Sequence, residues 1–153
     1  MNTSSHPIVI AHRGASGYLP EHSLAAKALA HAMGADFLEQ DVVLSRDGVA
    51  IVLHDIHLDS TTDVAQRFPD RARSDGRFYA IDFDLLEIQQ LRLHERTHLD
   101  GERCGSAGYP LRFPAQHALF HVPTLAEEID MLAGLDHSRG CRTGLYIELK
   151  SPN

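Results

Sequence analysis

Residues 8–54 read IVIAHRGASGYLPEHSLAAKALAHAMGADFLEQDVVLSRDGVAIVLH. The start of this stretch with its preceding proline, 7–11 (PIVIA), is a short apolar run of the kind that forms a buried strand. Residues 22–33 (HSLAAKALAHAM) carry helical spacing and stop at Gly34. Residues 36–44 (DFLEQDVVL) are strand-like again. Arg46-Asp47-Gly48 then signals a turn, after which 49–54 (VAIVLH) returns as extended chain. Strand, helix and strand within about 35 residues is the βαβ unit, with parallel pairing and a right-handed crossover.

Beyond this unit the rhythm breaks. Residues 55–115 are rich in Asp, Arg, Gly and Pro, as in RFPDRARSDGRFYAIDF, and exceed an ordinary βα connection. They read as an insertion covering one end of the sheet, with a helix expected near 84–93 (DLLEIQQLRL). The alternation resumes at VPTLAEEIDMLAGL. There Thr124 and Glu127 make a capping box, and Leu125, Ile129 and Leu132 follow helical spacing. GLYIELK (144–150) is a further strand. The expected architecture is a single α/β domain over 7–153 with 55–115 inserted in it.

The chain has 153 residues, enough for one domain with its own core. A net charge of -7 argues against sequence-independent nucleic-acid binding, which needs a basic face. No apolar run approaches the roughly 20 residues of a membrane helix. As written, the N-terminus has neither the basic nor the apolar region of a signal peptide, which would leave the chain cytoplasmic. Cys104 and Cys141 lack metal-type spacing and read as incidental thiols, a disulfide being the alternative in an oxidising compartment.

The chemistry sits at the strand ends. Glu39 and Asp41 are two apart on a strand, so they project from one face while Leu38, Gln40 and Val42 take the other. Adjacent carboxylates raise each other's pKa unless a cation lies between them. A hard ion, Mg²⁺ or Ca²⁺, suits such oxygen ligands. The plain alternative is a pair of solvated acids on an edge strand. Glu148 and Lys150 repeat the spacing on the last strand, where the alternative is a surface ion pair. His12-Arg13 ends the first strand and His54-Asp55 the segment after the second. A lone histidine is ordinarily structural, but these groups share an address. The carboxyl ends of parallel strands lie together on one side of an α/β sheet, and functional groups collect there. Three acids, two imidazoles, an arginine and a lysine on one rim suit a metal-assisted attack on a phosphoester. Walker loops, GxSxG elbows and Cys-His pairs in context are absent from the sequence.

Together these motifs — His12-Arg13-Gly14, an acid-bearing turn, Glu39-x-Asp41, His54-Asp55 and Glu148-x-Lys150 — resemble the glycerophosphodiester phosphodiesterase family. Pro20-Glu21-His22 and the stretch 61–83 resemble its periplasmic subgroup in particular, and the resemblance runs from Ile8 to Lys150. It implies a (β/α)8 barrel, a bound Ca²⁺ or Mg²⁺, and release of glycerol 3-phosphate plus an alcohol from a small glycerophosphodiester. It implies His12 and His54 as the acid/base pair and Glu39, Asp41 and Glu148 as metal ligands. Arg13 and Lys150 correspond to phosphate-binding residues, and Glu21 to a supporting acid. The segment 55–115 corresponds to the part that covers the site and recognises the glycerol end.

A (β/α)8 barrel needs about 200 residues or more. The sequence therefore reads as the N-terminal part of one, about three βα units plus the insertion. Two function classes follow. One is an enzyme segment completed by further chain or by self-association through open sheet edges. The other is a truncated remnant without turnover. A phospholipase-type lyase forming a cyclic phosphate is a further enzymatic alternative. The resemblance places the protein in the periplasm.

Overall fold

The computed structural model describes residues 7–150. Residues 1–6, which carry part of the reading on a leader, and 151–153 lie outside that range. In chain order the elements are β1 (Ile10–Ala11), α1 (Leu24–Ala32), β2 (Phe37–Leu44), β3 (Ala50–Val52), the single turns α2 (Val64–Arg67) and α3 (Leu85–Ile88), α4 (Leu125–Arg139) and β4 (Gly144–Leu149). Three 3₁₀ turns punctuate the segment between β3 and α4.

β2 is the axis. Every residue from Leu38 to Val43 is buried, the pattern of a strand covered on both faces. β1 pairs parallel with its start, Ile10 opposite Phe37. β4 pairs parallel along most of its length, from Phe37–Gly144 to Val42–Leu149. β3 folds back antiparallel on its end, Val42 opposite Val52. Phe37 and Val42 thus each have a partner on both sides. It follows that β1 and β3 lie end to end on one edge of β2 and β4 takes the other.

The expected βαβ unit is present, with the helix capped by Ser23, whose Oγ accepts from Ala26 N at 3.1 Å. α1 and α4 cover one face of the sheet, around Ala30, Ala35, Leu38 and Leu132. The larger core lies elsewhere. Leu58, Val64, Phe78, Phe83, Ile88, Leu91 and Leu93, all between 55 and 115, pack with Val43, Ile51, Leu53 and Val122. The Asp- and Arg-rich segment therefore carries most of this larger cluster.

Four expectations need correction. The first strand is two residues long rather than five, and Ile8, Val9 and Ile10 are exposed, because among the described residues no strand lies on their outer side. The helix expected over 84–93 is a single turn, capped by Asp84 and Glu87. Leu93 is drawn off to bridge Thr62 and Phe120, its N–H donating to Phe120 O at 2.8 Å. His54 follows an antiparallel hairpin, not a parallel strand end. In α4, Ile129 is exposed, and the buried positions are Leu132 and Glu128, whose carboxylate meets Lys27 of α1. The Thr124–Glu127 capping box forms as expected. Cys104 and Cys141 are both free.

Candidate active site

The turn after β1 sets the geometry. Arg13 and Gly14 both have left-handed backbones, φ 60° and 80°. A Cβ on Gly14 would fall 2.9 Å from the carbonyl carbon of Ala26, so only glycine lets the loop lie against the first turn of α1. Ala15 N donates to Ala26 O at 2.9 Å there. This lodges the loop over β2, and Arg13 N donates to Glu39 Oε2 at 2.6 Å. His22 is the other non-glycine residue with positive φ, 62°, and its N–H donates to Arg13 O at 3.1 Å. Strained backbones of this kind persist where the surroundings over-determine them.

Register supplies the acids. Asp41 lies opposite Glu148 in the β2–β4 ladder, and Glu39 shares the face of Asp41. Oxygens of Glu39, Asp41 and Glu148 all lie within 4.8 Å of one another. Lys150 Nζ is 3.0 Å from Asp41 Oδ1 and hydrogen-bonds Glu148. Burial pushes Glu39 up, and neighbouring Asp41 adds to this, against the Arg13 N–H bond. Burial also pushes Asp41 up, but hydrogen bonds from His22 and Lys150 outweigh it and hold the carboxyl far below its ordinary value. His22 Nε2 is 2.8 Å from Asp41 Oδ2. Burial lowers His22 to about 4 despite this partner, so at neutral pH it is an uncharged donor.

Glu39 Oε1 is buried and has no hydrogen-bond partner. An unsatisfied carboxylate oxygen is costly in a dry site. Its carboxyl is pushed toward the neutral form, and two further carboxylates converge on it. That donor set fits a hard divalent cation, with Glu39, Asp41 and Glu148 as the residues that would hold it.

A second chain of contacts joins the two histidine motifs. Arg13 Nη1 lies 3.2 Å from both oxygens of Glu21. Arg96 Nη2 donates to Glu21 Oε1 at 2.6 Å, and Arg96 Nη1 to Asp55 Oδ2 at 2.5 Å. Asp55 Oδ1 is 2.6 Å from His54 Nδ1. Nδ1–H donates in that contact, which leaves Nε2 as the free face of the imidazole. Burial pushes Glu21 and Asp55 up, but Arg96, helped by Arg13 and His22 at Glu21 and by His54 and Ser60 at Asp55, brings both carboxyls below their ordinary values. His12 is exposed on the loop before Arg13 and bears on the charge of Glu39.

The structure thus gathers Glu39, Asp41, Glu148 and Lys150 in one cluster, with Arg13 Nε 3.6 Å from Asp41 Oδ2. Glu21 and His54 join through Arg96 and Asp55. Sequence reasoning assigned no role to His22, Asp55, Arg96 or Lys27, whose Nζ donates to Glu39 O at 2.5 Å. Asp55 and His22 stand inside quoted motifs and were legible there. Arg96 lies 75 residues from Glu21 and nothing near it in the sequence marks it.

Residues 12–153 match the model of the glycerophosphoryl diester phosphodiesterase family. A glycerophosphodiester phosphodiesterase of Haemophilus influenzae is 50% identical over 149 residues, covering 97% of this chain and 40% of that protein. One from Treponema pallidum is 44% identical over 149 residues, with 97% and 42% covered. Among solved structures, an Oleispira antarctica phosphodiesterase in complex with the product sn-glycerol-3-phosphate matches with TM-score 0.63 and 32% identity, covering 94% of this chain and 44% of that one. A glycerophosphodiester phosphodiesterase from Agrobacterium tumefaciens matches with TM-score 0.60 and 33% identity, covering 94% and 47%. The fold is part of the (β/α)8 barrel of these enzymes. The chain spans about 40% of the length of the curated relatives it matches.

Proposed function

This chain belongs to the glycerophosphoryl diester phosphodiesterase family, and on that premise we propose that its acid rim serves the hydrolysis of small glycerophosphodiesters to glycerol 3-phosphate and an alcohol. The observation that carries the reading is the convergence of Glu39, Asp41 and Glu148 beside Arg13 and Lys150. A Ca²⁺ or Mg²⁺ ion held by the three acids would supply charge stabilisation for the phosphoryl oxygens. Arg13, whose guanidinium lies beside Asp41, supplies positive charge to a non-bridging oxygen. One imidazole removes a proton from the attacking hydroxyl, either water or the substrate's own 2-hydroxyl, the latter giving a cyclic phosphate that water then opens to glycerol 3-phosphate. The phosphorus–oxygen ester bond breaks, and the other imidazole protonates the departing alkoxide. Asp55 keeps His54 oriented with Nε2 toward the reacting groups. Arg96, reaching in from 55–115, supports our reading that this segment closes over the glycerol end.

The test is release of glycerol 3-phosphate from glycerophosphocholine by the purified chain, with Ca²⁺, with Mg²⁺ and with chelator. Chelator-sensitive release is expected. His12→Ala and His54→Ala should each lower kcat about 10²–10⁴-fold with little change in KM. Near-normal turnover in either variant would remove that histidine from the mechanism. A specific observation favours a second reading, in which these residues bind metal without turning substrate over. The Glu148 side chain is 54% exposed, and the strand faces at Tyr146, Ile147 and Leu149 are open. Metal binding without product release from the folded chain would support it.

A further inference from the structure

We propose that His31, Asp136 and Cys141 form a second metal site, for a Zn²⁺-type ion, at the end of the strands opposite the acid rim. Nothing in the proposed hydrolysis uses these residues, and the inference does not depend on that reading. His31 lies in the last turn of α1, Asp136 in α4, and Cys141 just beyond Gly140. Gly140 ends α4 with φ 63° and turns the chain back, so that Cys141 N donates to Asp136 O at 3.2 Å. The thiol thereby returns over the Asp136 side chain, close to where β4 starts. Glu148, by contrast, sits near the other end of that strand.

The three donor atoms converge on one point. His31 Nε2 is 3.0 Å from Asp136 Oδ1 and 3.6 Å from Cys141 Sγ, and Sγ is 3.5 Å from the same Oδ1. A tetrahedral ion with metal–nitrogen and metal–oxygen distances of about 2.0 Å and metal–sulfur of about 2.3 Å would have N···S and O···S edges of about 3.5 Å and an N···O edge of about 3.3 Å. The triangle present in the protein is close to one face of that tetrahedron. The alternative chemistry for Cys, His and Asp together is an activated thiol nucleophile. That relay needs the acid on one ring nitrogen and the thiol on the other. Here both face the same Nε2, so the arrangement coordinates and does not relay.

The surroundings agree. Thr143 N donates to Asp136 Oδ2 at 3.1 Å, which fixes the carboxylate and aims Oδ1 at the imidazole. Such bonds to the outer atoms of ligands are what orients them in metal sites. The His31 side chain is buried, whereas Cys141 is exposed, so an ion has a way in. On binding, the sulfur–metal bond forms as the thiol loses its proton to solvent. A thiolate, a carboxylate and a neutral imidazole then balance a dication. The mixed sulfur, nitrogen and oxygen donors select Zn²⁺ or Co²⁺ over the hard ions that suit an all-carboxylate rim. Three protein ligands leave one position for water. The ion would tie α1 to α4 and to the start of β4.

The test is titration of the whole reduced chain with Co²⁺, which reports a thiolate ligand by its charge-transfer absorption. One equivalent should give that band with tetrahedral visible bands, and Zn²⁺ should displace it. Cys141→Ser, an exposed change that spares the core, should abolish the band. Cys104→Ser and Glu148→Gln should keep it. Zn²⁺ should raise the Tm of the unsubstituted chain and not that of Cys141→Ser. Absence of the band in the folded chain, or its survival in Cys141→Ser, would overturn the proposal. Visible cobalt bands that persist in Cys141→Ser but vanish in Glu148→Gln would place the ion at the acid rim, and would overturn it too.

Discussion

Gly14 shows how much one residue decides. Its left-handed φ costs an L side chain about 1–2 kcal/mol, and a Cβ there would also press on the backbone of Ala26 and Lys27. Gly14→Ala should therefore lower stability by about 2–3 kcal/mol. It should also loosen the Arg13 N–H contact with Glu39, which lies one residue away. Denaturant unfolding checks the first effect, and weaker metal affinity at the acid rim checks the second. A variant as stable as the parent would show that the loop does not need its close approach to α1. The sequence flagged His12-Arg13-Gly14 as a motif. It did not say that the glycine is what brings the arginine's backbone to the acid.

At the scale of elements, the α1–α4 contact turns on a buried pair rather than on apolar spacing alone. Lys27 and Glu128 are both fully buried, with Nζ and Oε1 2.9 Å apart. Burial pushes the lysine down and the glutamate up, each against the pull of the other. Removing one partner strands the other, so Lys27→Met should cost about 3–5 kcal/mol. Lys27→Met with Glu128→Leu should recover most of that loss, because an apolar pair of similar volume needs no charge compensation. Chemical denaturation of the single and double variants measures the coupling. Additive effects would mean that the contact contributes nothing specific. Helical spacing in the sequence pointed to Leu125, Ile129 and Leu132, of which Leu132 is buried and Ile129 exposed. It could not anticipate that a lysine on another helix makes the adjacent Glu128 the buried position.

Across the whole molecule, Arg96 ties the 55–115 segment to the strand ends through Glu21 and Asp55. Both carboxyls are held below ordinary values of 4.5 and 3.8 in the folded chain. A depressed folded pKa stabilises above the unfolded value and is lost as pH falls through the folded one. Stability in chelator should therefore fall as pH drops below about 4.5. Arg96→Met should cost about 3 kcal/mol at pH 7. Without the guanidinium, burial raises both acids, so the deficit should shrink steadily between neutral pH and pH about 3. Thermal unfolding of the two chains across that range decides it, and a constant deficit would show that Arg96 does not set the acid limb.

What the sequence determined by itself is what local spacing encodes. The βαβ order, the capping box at Thr124, the alternation of Glu39 and Asp41, and the convergence of Arg13, Glu148 and Lys150 on them were all legible. Period, cap chemistry and strand ends are properties of neighbours in the chain. Only the tertiary structure decided that the polar 55–115 segment carries most of the larger core cluster, since scattered Leu, Phe and Ile positions become a cluster only once the loop closes. It alone joined Glu21 to His54 through Arg96 and brought His31, Asp136 and Cys141 together across more than 100 residues of sequence. Those contacts depend on how parallel strands and their crossover helices return the chain to one place, and no local pattern records that return.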